Sequence, residues 1–359
     1  MKAAVCRSFG QPLVIEDIEI AAVRPGEIKV KIAACAICHS DIHFMEGAWG
    51  GDLPAVFGHE AAGVVESVGA GVTRVKPGDH VVVTLIRSCG HCHYCTQGNL
   101  VQCETKFTQY AKSPLTTKDG QPVTHGLNTG AFAEYAVVDA SQAVAIPTDI
   151  PFASASLLAC GVITGFGAVV NTAQVTTGSH VVVVGTGGVG LNCIQGASLR
   201  GARSVIAVDL SDEKLAAAKG FGATHGVNPG KVEAAKEIRK ITGGRSADYV
   251  FVAVGAKSAI EQAFRYMGRG GTLVVVGMPA NEVKTEFGPT DFAYLGQRVL
   301  GSKMGSTRLD IDVPALIDLY RQGRLKLDEL VSGRFPLEKI NEAIEGVTKG
   351  AALRNVIVF

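Results

Sequence analysis

Apolar and polar residues alternate over short segments in the first 150 residues, and these segments end at glycine or proline. Such a period of two indicates β-strands with one buried face. The clearest predicted strands cover residues 13–18, 27–32, 62–68 and 80–83. This part of the chain is therefore predicted to form an antiparallel, barrel-like domain.

The pattern changes near residue 161, where short apolar runs begin to alternate with helical stretches. Strands followed by helices in this way are typical of a doubly wound parallel sheet in an α/β fold. Strands are predicted over residues 181–184, 204–208, 249–252, 272–276 and 298–300. Helices are predicted over residues 212–220, 232–241 and 257–267.

After residue 301 the pattern is mixed again, with a predicted helix over 313–322 and a last strand over 355–359. A chain of 359 residues is longer than one hydrophobic core usually organises. We expect a barrel domain over residues 1–160, completed by 302–359, and a parallel-sheet domain over 161–301.

The uncharged stretch 150–175 is the best candidate for a membrane span. It is interrupted by Pro151, Gly161, Gly165 and Gly167 and has no flanking cluster of basic residues, so a buried helix and turn are predicted instead. The amino terminus resembles neither a signal peptide nor a transit peptide, which favours the cytoplasm.

The charge balance argues against polyanionic partners. The 34 basic and 33 acidic side chains give a net charge of +1, which creates no field that attracts nucleic acid or an anionic membrane. A small molecule is the expected partner.

Four cysteines lie close together in a C-x2-C-x2-C-x7-C run: Cys89, Cys92, Cys95 and Cys103. Zinc takes four thiolates in a closed tetrahedron, and this spacing indicates a structural zinc site. An iron-sulfur cluster is the first alternative, disfavoured by the long last gap and the absence of a following Cys-Pro. Disulfides are the second, disfavoured in a reducing compartment.

A second set of metal-binding residues is dispersed along the chain. Cys38, His59 and Cys160 are the ligand types of a catalytic zinc that keeps its fourth position open. Taken singly, Cys160 reads as a core residue and the segment around His59 as an ordinary turn.

A glycine-rich turn follows the apolar strand 181–184 and opens a helix: Gly185, Gly187 and Gly190 form G-x-G-x-x-G. In this context the motif predicts a dinucleotide site, with the pyrophosphate at the helix amino terminus. Asp209 ends the next strand, where a carboxylate accepts hydrogen bonds from ribose hydroxyls and repels a 2′-phosphate. No arginine follows closely, so NAD is predicted rather than NADP.

Together these motifs resemble the zinc-containing medium-chain dehydrogenase/reductase family, in particular its alcohol dehydrogenases. The likeness covers nearly the whole chain, from the first strand to a Phe-Pro-Leu-Glu-Lys-Ile segment beginning at Phe335. It implies a GroES-like catalytic domain, a Rossmann domain, and an active site in the cleft between them. It also implies two zinc ions per chain, one catalytic and one structural.

The resemblance assigns roles around the catalytic zinc, with Cys38, His59 and Cys160 as its ligands and the four-cysteine run as the structural site. Asp41 corresponds to a carboxylate that orients the zinc-bound histidine. Glu60 corresponds to a carboxylate behind the metal that assists ligand exchange.

Two further residues correspond to a proton relay. Ser40 takes the proton of the substrate alcohol, and His43 passes it to solvent through the cofactor ribose. Ser40 is also a candidate helix N-cap and His43 a candidate solvated helix residue. Zinc supplies Lewis-acid polarisation, and the nicotinamide accepts the hydride.

The resemblance also marks a cofactor-binding set. His39 and Arg354 correspond to pyrophosphate contacts, and Lys214 to a neighbour of the adenosine ribose. The implied cofactor-binding residues are His39, Thr164, Gly185, Gly187, Gly188, Val189, Gly190, Asp209, Lys214, Val276 and Arg354.

The expected substrate pocket is lined by Trp49, Leu85, Leu127 and Met278. These side chains favour an uncharged primary or secondary alcohol, or the matching aldehyde or ketone. The resemblance implies a homodimer or homotetramer.

Three alternatives remain open: a polyol dehydrogenase, a glutathione-adduct aldehyde dehydrogenase, and a non-catalytic protein that keeps the fold. Polyol enzymes commonly use a carboxylate as a zinc ligand, which the Cys160 segment does not suggest. A glutathione adduct calls for a cationic anchor, which the sequence does not reveal. A non-catalytic protein should show gaps among the ligand and relay positions, and none is visible.

Overall fold

A computed structural model describes residues 1–108, 112–350 and 352–359. The chain forms two compact units. The first unit comprises Met1–Cys160 and Arg308–Phe359, and the second comprises Gly161–Thr307.

The two units together contain strands from both ends of the chain. Within the described residues, the strands in chain order are β1 (Lys2–Cys6), β2 (Val14–Ile20), β3 (Glu27–Ala36), β4 (Ala55–Val56), β5 (Glu60–Val68), β6 (His80–Val83), β7 (Leu115–Thr117), β8 (Pro122–His125), β9 (Tyr135–Asp139), β10 (Ala143–Ala145), β11 (His180–Val184), β12 (Ser204–Val208), β13 (His225–Val227), β14 (Ala247–Val252), β15 (Met267–Val275), β16 (Arg298–Gly301), β17 (Val331–Pro336) and β18 (Arg354–Val358).

The described α-helices are between 4 and 13 residues long. Within the described residues, the α-helices are α1 (His39–Met45), α2 (His93–Thr96), α3 (Phe152–Leu157), α4 (Gly161–Gly167), α5 (Gly188–Leu199), α6 (Asp212–Gly220), α7 (Ala234–Ile241), α8 (Lys257–Ala263), α9 (Pro289–Tyr294), α10 (Leu309–Arg321) and α11 (Ile340–Thr348).

The first unit contains the predicted barrel. Strands β1, β2, β7, β8 and β4 close on one another in that order. All of these pairings are antiparallel except that of β4 with β8, which is parallel. A second sheet has the order β10-β6-β5-β3-β18-β17, with β9 also paired to β3.

The second unit contains the predicted doubly wound sheet, so the α/β fold class is confirmed. Its order is β13-β12-β11-β14-β15-β16, and every pairing is parallel. Each residue of β11 and β12 is buried, which explains why these strands read as continuous apolar runs rather than as alternating patterns.

Three predicted helices have different boundaries in the structure, and the one predicted over 232–241 begins at Ala234. The helix predicted over 257–267 ends at Ala263 and continues as a 3-10 turn, because Met267 is the first residue of β15 and pairs with Ala247 of β14. Sheet pairing overrides helical propensity there. The helix predicted from residue 313 begins at Leu309, where Asp312 accepts a hydrogen bond from the Arg308 N–H and caps the first turn.

The apolar stretch 150–175 folds as α3, α4 and a π-helical turn, Ala168–Thr172. These are the buried helix and turn that its glycines predicted. Across the part of the chain that the structure describes, every helix is too short or too polar to cross a membrane.

The end of the chain completes the sheet of the first unit. Strand β18 pairs antiparallel with β3, with Ile357 opposite Cys35, and parallel with β17. Ile357 is fully buried in the main core of this unit.

We predict that Ile357→Ala lowers the free energy of unfolding by about 2–5 kcal/mol, because it leaves a cavity in that core. Val14→Ala, at an exposed position of β2, is the control and should change stability by about 0.5 kcal/mol or less. Urea denaturation followed by circular dichroism measures both. Equal, small losses would show that β18 does not carry core packing.

Candidate active site

Four buried metal-binding side chains meet in the first unit. A sulfur, nitrogen or oxygen atom of Cys38, His59, Glu60 and Cys160 lies within 4.8 Å of one in each of the others. Cys38 precedes α1, His59 and Glu60 stand at the start of β5, and Cys160 follows α3. The fold thus gathers donors from three distant segments, as the sequence predicted.

The Asp41 carboxylate holds two of these segments together. It is fully buried and accepts hydrogen bonds from the Cys38 N–H (3.1 Å), the Gly58 N–H (2.9 Å) and the His59 Nδ1 (3.0 Å). Because Nδ1 carries the proton in this bond, Nε2 is left as the basic nitrogen of the ring. Burial by itself lowers the pKa of His59. The interactions with Asp41 outweigh burial, so the pKa lies well above its usual value.

Gly58 is required at the turn that presents His59. Its φ of +92° lies in the left-handed region, and a Cβ there would stand 2.6 Å from the Phe132 backbone nitrogen. A larger residue would displace the turn and with it the imidazole.

Glu60 belongs to the cluster and also pairs with a buried arginine. Its Oε1 accepts a hydrogen bond from Arg354 Nη1 at 3.0 Å, and Arg354 also donates to the Ile37 carbonyl at 3.3 Å. Burial raises the pKa of Glu60 to about 8, although Arg354 opposes that shift. Arg354, expected at the pyrophosphate, is therefore seen holding this carboxylate.

The two buried cysteines of the cluster, Cys38 and Cys160, have pKa values shifted in opposite directions. The side-chain hydrogen bond from Cys160, opposed by burial, holds the pKa of Cys38 well below its usual range. The same bond raises the pKa of Cys160 well above it, with burial adding to the shift. A metal binds thiolates, so binding at this cluster would release the protons that these thiols carry.

The donor set fits zinc. Within the described residues, His59 Nε2 and Glu60 Oε2 are buried without a hydrogen-bond partner. Buried polar atoms in this condition point to an ion or water among them. Two sulfurs and one imidazole would give zinc three ligands and leave a fourth position open, and a Glu60 oxygen lies within 4.8 Å of these donors.

The four-cysteine loop forms a second candidate zinc site. The Sγ atoms of Cys89 and Cys95 are 4.0 Å apart, and those of Cys92 and Cys103 are 3.9 Å apart. Zn–S bonds of about 2.3 Å in a tetrahedron place sulfurs about 3.8 Å apart. The two sulfurs of a disulfide lie about 2.05 Å apart, so neither of these pairs forms a disulfide.

Backbone and side-chain donors stabilise thiolates in this loop. The Cys89 N–H points at Cys103 Sγ (3.4 Å), and the Cys92 N–H at Cys89 Sγ (3.3 Å). The Thr105 side chain and then backbone N–H groups lower the pKa of Cys89 to about 5, whereas burial raises that of Cys95 to about 12. Zinc binding therefore has to displace the Cys95 proton.

The proposed relay residues belong to α1. Ser40 and His43 are half-buried, and the His43 ring lies 5.0 Å from that of Trp49, a predicted pocket residue. The N-cap of α1 is Cys38, so Ser40 does not serve as the N-cap. His39, the first residue of α1, is exposed.

The glycine-rich turn lies between a strand and a helix of the second unit. Gly185 follows β11, and Gly187 is the N-cap of α5, with no atom within 4 Å of the position a Cβ would take. A Cβ on Gly190 would stand 1.8 Å from the Gly185 carbonyl oxygen, so only glycine fits there. Gly188 and Val189 open α5, leaving its first N–H groups available to a phosphate.

Asp209 lies just after β12 and is bound by a residue that the sequence analysis missed. Thr186, between the first two glycines, donates both its N–H (2.8 Å) and its hydroxyl (2.9 Å) to Asp209 Oδ2. Thr186 is the one residue with a side chain between Gly185 and Gly188, and this position in the sequence could have drawn attention to its hydroxyl.

The remaining predicted cofactor residues also lie in the second unit. Thr164 is buried in α4, with its hydroxyl 3.7 Å from Met304 Sδ, and Val276 is buried after β15. Lys214 is half-buried in α6.

The other predicted pocket residues divide between the units. Leu85 and Leu127 are half-buried in the first unit, and Met278 is 62% exposed in the second. Leu127 has a φ of 50°, and the adjacent Asn128 carbonyl accepts hydrogen bonds from buried Arg87 and Gln142. Neither of these supporting residues was predicted.

Two family descriptions match this chain. Residues 24–148 match the alcohol dehydrogenase GroES-like domain, and residues 188–322 match the zinc-binding dehydrogenase family.

Similar proteins match nearly the whole chain. An NDMA-dependent alcohol dehydrogenase from Amycolatopsis methanolica is 37% identical over 99% of this chain and 98% of its own. A probable S-(hydroxymethyl)glutathione dehydrogenase 1 from Schizosaccharomyces pombe is 37% identical over 99% of this chain and 96% of its own. The crystal structure of benzyl alcohol dehydrogenase from Acinetobacter calcoaceticus matches with a TM-score of 0.92 at 30% identity, covering 100% of this chain and 99% of that one.

We predict that Asp41→Asn weakens zinc binding at the buried cluster by about 10–100-fold, because the imidazole loses its charged anchor. Competition with a graded chelator, followed by metal analysis, measures this. Asp17→Asn, at an exposed carboxylate paired with Lys118, is the control. Equal zinc retention in the two variants would contradict the role of Asp41.

Proposed function

Because this chain belongs to the zinc-containing alcohol dehydrogenase family of medium-chain dehydrogenases, we propose that it catalyses reversible hydride transfer between an alcohol and NAD. The product is the aldehyde or ketone. The family assignment makes the chain an oxidoreductase, and the choice of NAD and of substrate is our proposal.

The observation that supports this proposal most directly is the buried cluster of Cys38, His59 and Cys160. These donors would hold zinc with a position left for the substrate oxygen, and zinc there supplies Lewis-acid polarisation of that oxygen. Arg354 keeps the Glu60 carboxylate turned towards the cluster, where it can assist ligand exchange.

The proton travels through residues of α1 in this proposal. Ser40 accepts the proton of the alcohol, and His43 passes it towards solvent. Packing of His43 against Trp49 keeps its ring near the expected pocket wall.

The proposed preference for NAD rests on Asp209. A fixed carboxylate at this place accepts a hydrogen bond from a ribose hydroxyl and repels a 2′-phosphate. We further propose that His39 and Arg354 lie near the pyrophosphate, Lys214 near the adenosine ribose, and Thr164, Val189 and Val276 near the nicotinamide.

An uncharged alcohol is the proposed substrate, with Trp49, Leu85, Leu127 and Met278 as pocket residues. The benzyl alcohol dehydrogenase among the similar structures supports an arylalkyl alcohol. The glutathione-adduct alternative is supported by the Schizosaccharomyces pombe relative. We also propose a homodimer or homotetramer that acts in the cytoplasm.

We predict that a panel of primary, secondary and arylalkyl alcohols gives NADH formation that a zinc chelator abolishes. Absorbance at the NADH band measures the rate. Formaldehyde with and without glutathione separates the second candidate, since only the adduct enzyme requires the thiol. Full activity after complete zinc removal would contradict the proposal.

We predict that Cys38→Ser lowers kcat at least about 1,000-fold, because a neutral hydroxyl is a poor zinc ligand. NADH binding, followed by fluorescence, should persist, since the nucleotide turn is untouched. Cys6→Ser, at a buried thiol outside both clusters, is the matched control. Unchanged turnover in Cys38→Ser would remove this residue from the site.

We predict that Ser40→Ala lowers kcat about 100-fold or more and His43→Gln about tenfold, because each removes a step of proton transfer. Zinc content should stay unchanged in both variants. Steady-state kinetics with one alcohol and a solvent isotope comparison measure the effect. Wild-type rates in both variants would eliminate the relay.

A further inference from the structure

The carboxylate of Asp209 is almost fully engaged by the protein itself. Oδ2 accepts the Thr186 N–H at 2.8 Å and the Thr186 hydroxyl at 2.9 Å, and Oδ1 accepts the Ser211 N–H at 3.0 Å. A carboxylate offers about four acceptor sites. Three are filled by bonds among the described residues, which leaves one site on Oδ1 for a ligand hydroxyl.

Thr186 links two turns that meet at the carboxyl ends of adjacent strands. It is fully buried in the turn between β11 and α5, whereas Asp209 begins the turn between β12 and α6. The threonine therefore ties the position of the carboxylate to the glycine turn that we assign to the pyrophosphate. A rotation of Asp209 away from this place would break two hydrogen bonds at once.

The neighbouring acidic residue is already paired. Asp212 contacts the Lys231 ammonium group and accepts a hydrogen bond from Asn228 Nδ2 at 2.8 Å. Asp212 is therefore engaged away from the glycine-rich turn, and we assign the discrimination against a 2′-phosphate to Asp209.

We propose that Thr186 is a positioning residue that sets the selectivity of this protein for a dinucleotide with a free 2′-hydroxyl over one with a 2′-phosphate. Its hydroxyl prevents the Asp209 carboxylate from turning out of the way of a phosphate. The same bond keeps Oδ1 aimed at the hydroxyl of the preferred cofactor. This inference rests on the proposed use of NAD.

The test measures binding of NADH and NADPH to the full-length protein by fluorescence titration, without turnover. Thr186→Val removes the hydroxyl and keeps the shape and the N–H. It should lower the ratio of the NADPH Kd to the NADH Kd by about three- to tenfold, the effect expected for one hydrogen bond of ordinary strength, because the Thr186 N–H still holds the carboxylate. Thr186→Ser restores the hydroxyl and should return the ratio to within about twofold of the wild type.

Thr177→Val is the matched control, because its hydroxyl donates to the Arg200 carbonyl, away from Asp209. Both Kd values should match the wild type. If Thr186→Val does not fold, as judged by thermal melting, Thr186→Ala takes its place with the same expected fall in the ratio.

Asp209→Asn separates the two levels of the proposal. If it leaves the ratio unchanged, Asp209 does not determine the choice of cofactor, and the proposed basis of the NAD preference is wrong. If Asp209→Asn lowers the ratio but folded Thr186→Val or Thr186→Ala does not, the assignment of Thr186 is overturned while the NAD preference stands. A fall in both, with recovery in Thr186→Ser, supports the inference.

Discussion

The metal-binding arrangement depends on one buried carboxylate. Asp41 accepts hydrogen bonds from the Cys38 and Gly58 N–H groups and from the His59 imidazole, so a single side chain fixes both the start of α1 and the turn before β5. An unpaired charge in this place would be costly, and three donors compensate its burial. His59, which we propose as a zinc ligand, is thereby oriented by the same carboxylate that caps α1.

The rest of the first unit serves to bring this pair to Cys160 and Glu60. Strands β3 and β5 are neighbours in one sheet, which places the segment ending at Cys38 beside the segment beginning at His59. The carboxyl-terminal strand β18 joins the same sheet and supplies Arg354, which holds Glu60. Charged residues 294 positions apart in the chain therefore pair in one buried cluster.

The hydrophobic pattern predicted both folds, because the period of two and the alternation of strand and helix follow directly from burial. The sequence also predicted both clusters of possible metal ligands, because cysteine and histidine are the side chains that zinc prefers. It could not predict the parallel pairing of β4 with β8, the end of α8 at Ala263, or the contacts of Thr186, Arg87 and Gln142. These features depend on which distant parts of the chain come together in the fold. The sequence around a threonine, arginine or glutamine does not indicate which distant group it will contact.

The most direct measurement is X-ray absorption at the zinc edge of the purified protein, combined with metal analysis. Two zinc ions per chain, one with four sulfurs and one with two sulfurs and an imidazole, predict an average of about three sulfurs per zinc at about 2.3 Å together with imidazole scattering. One zinc per chain with four sulfurs and no imidazole signal would contradict the account, because the buried donors would then hold no metal.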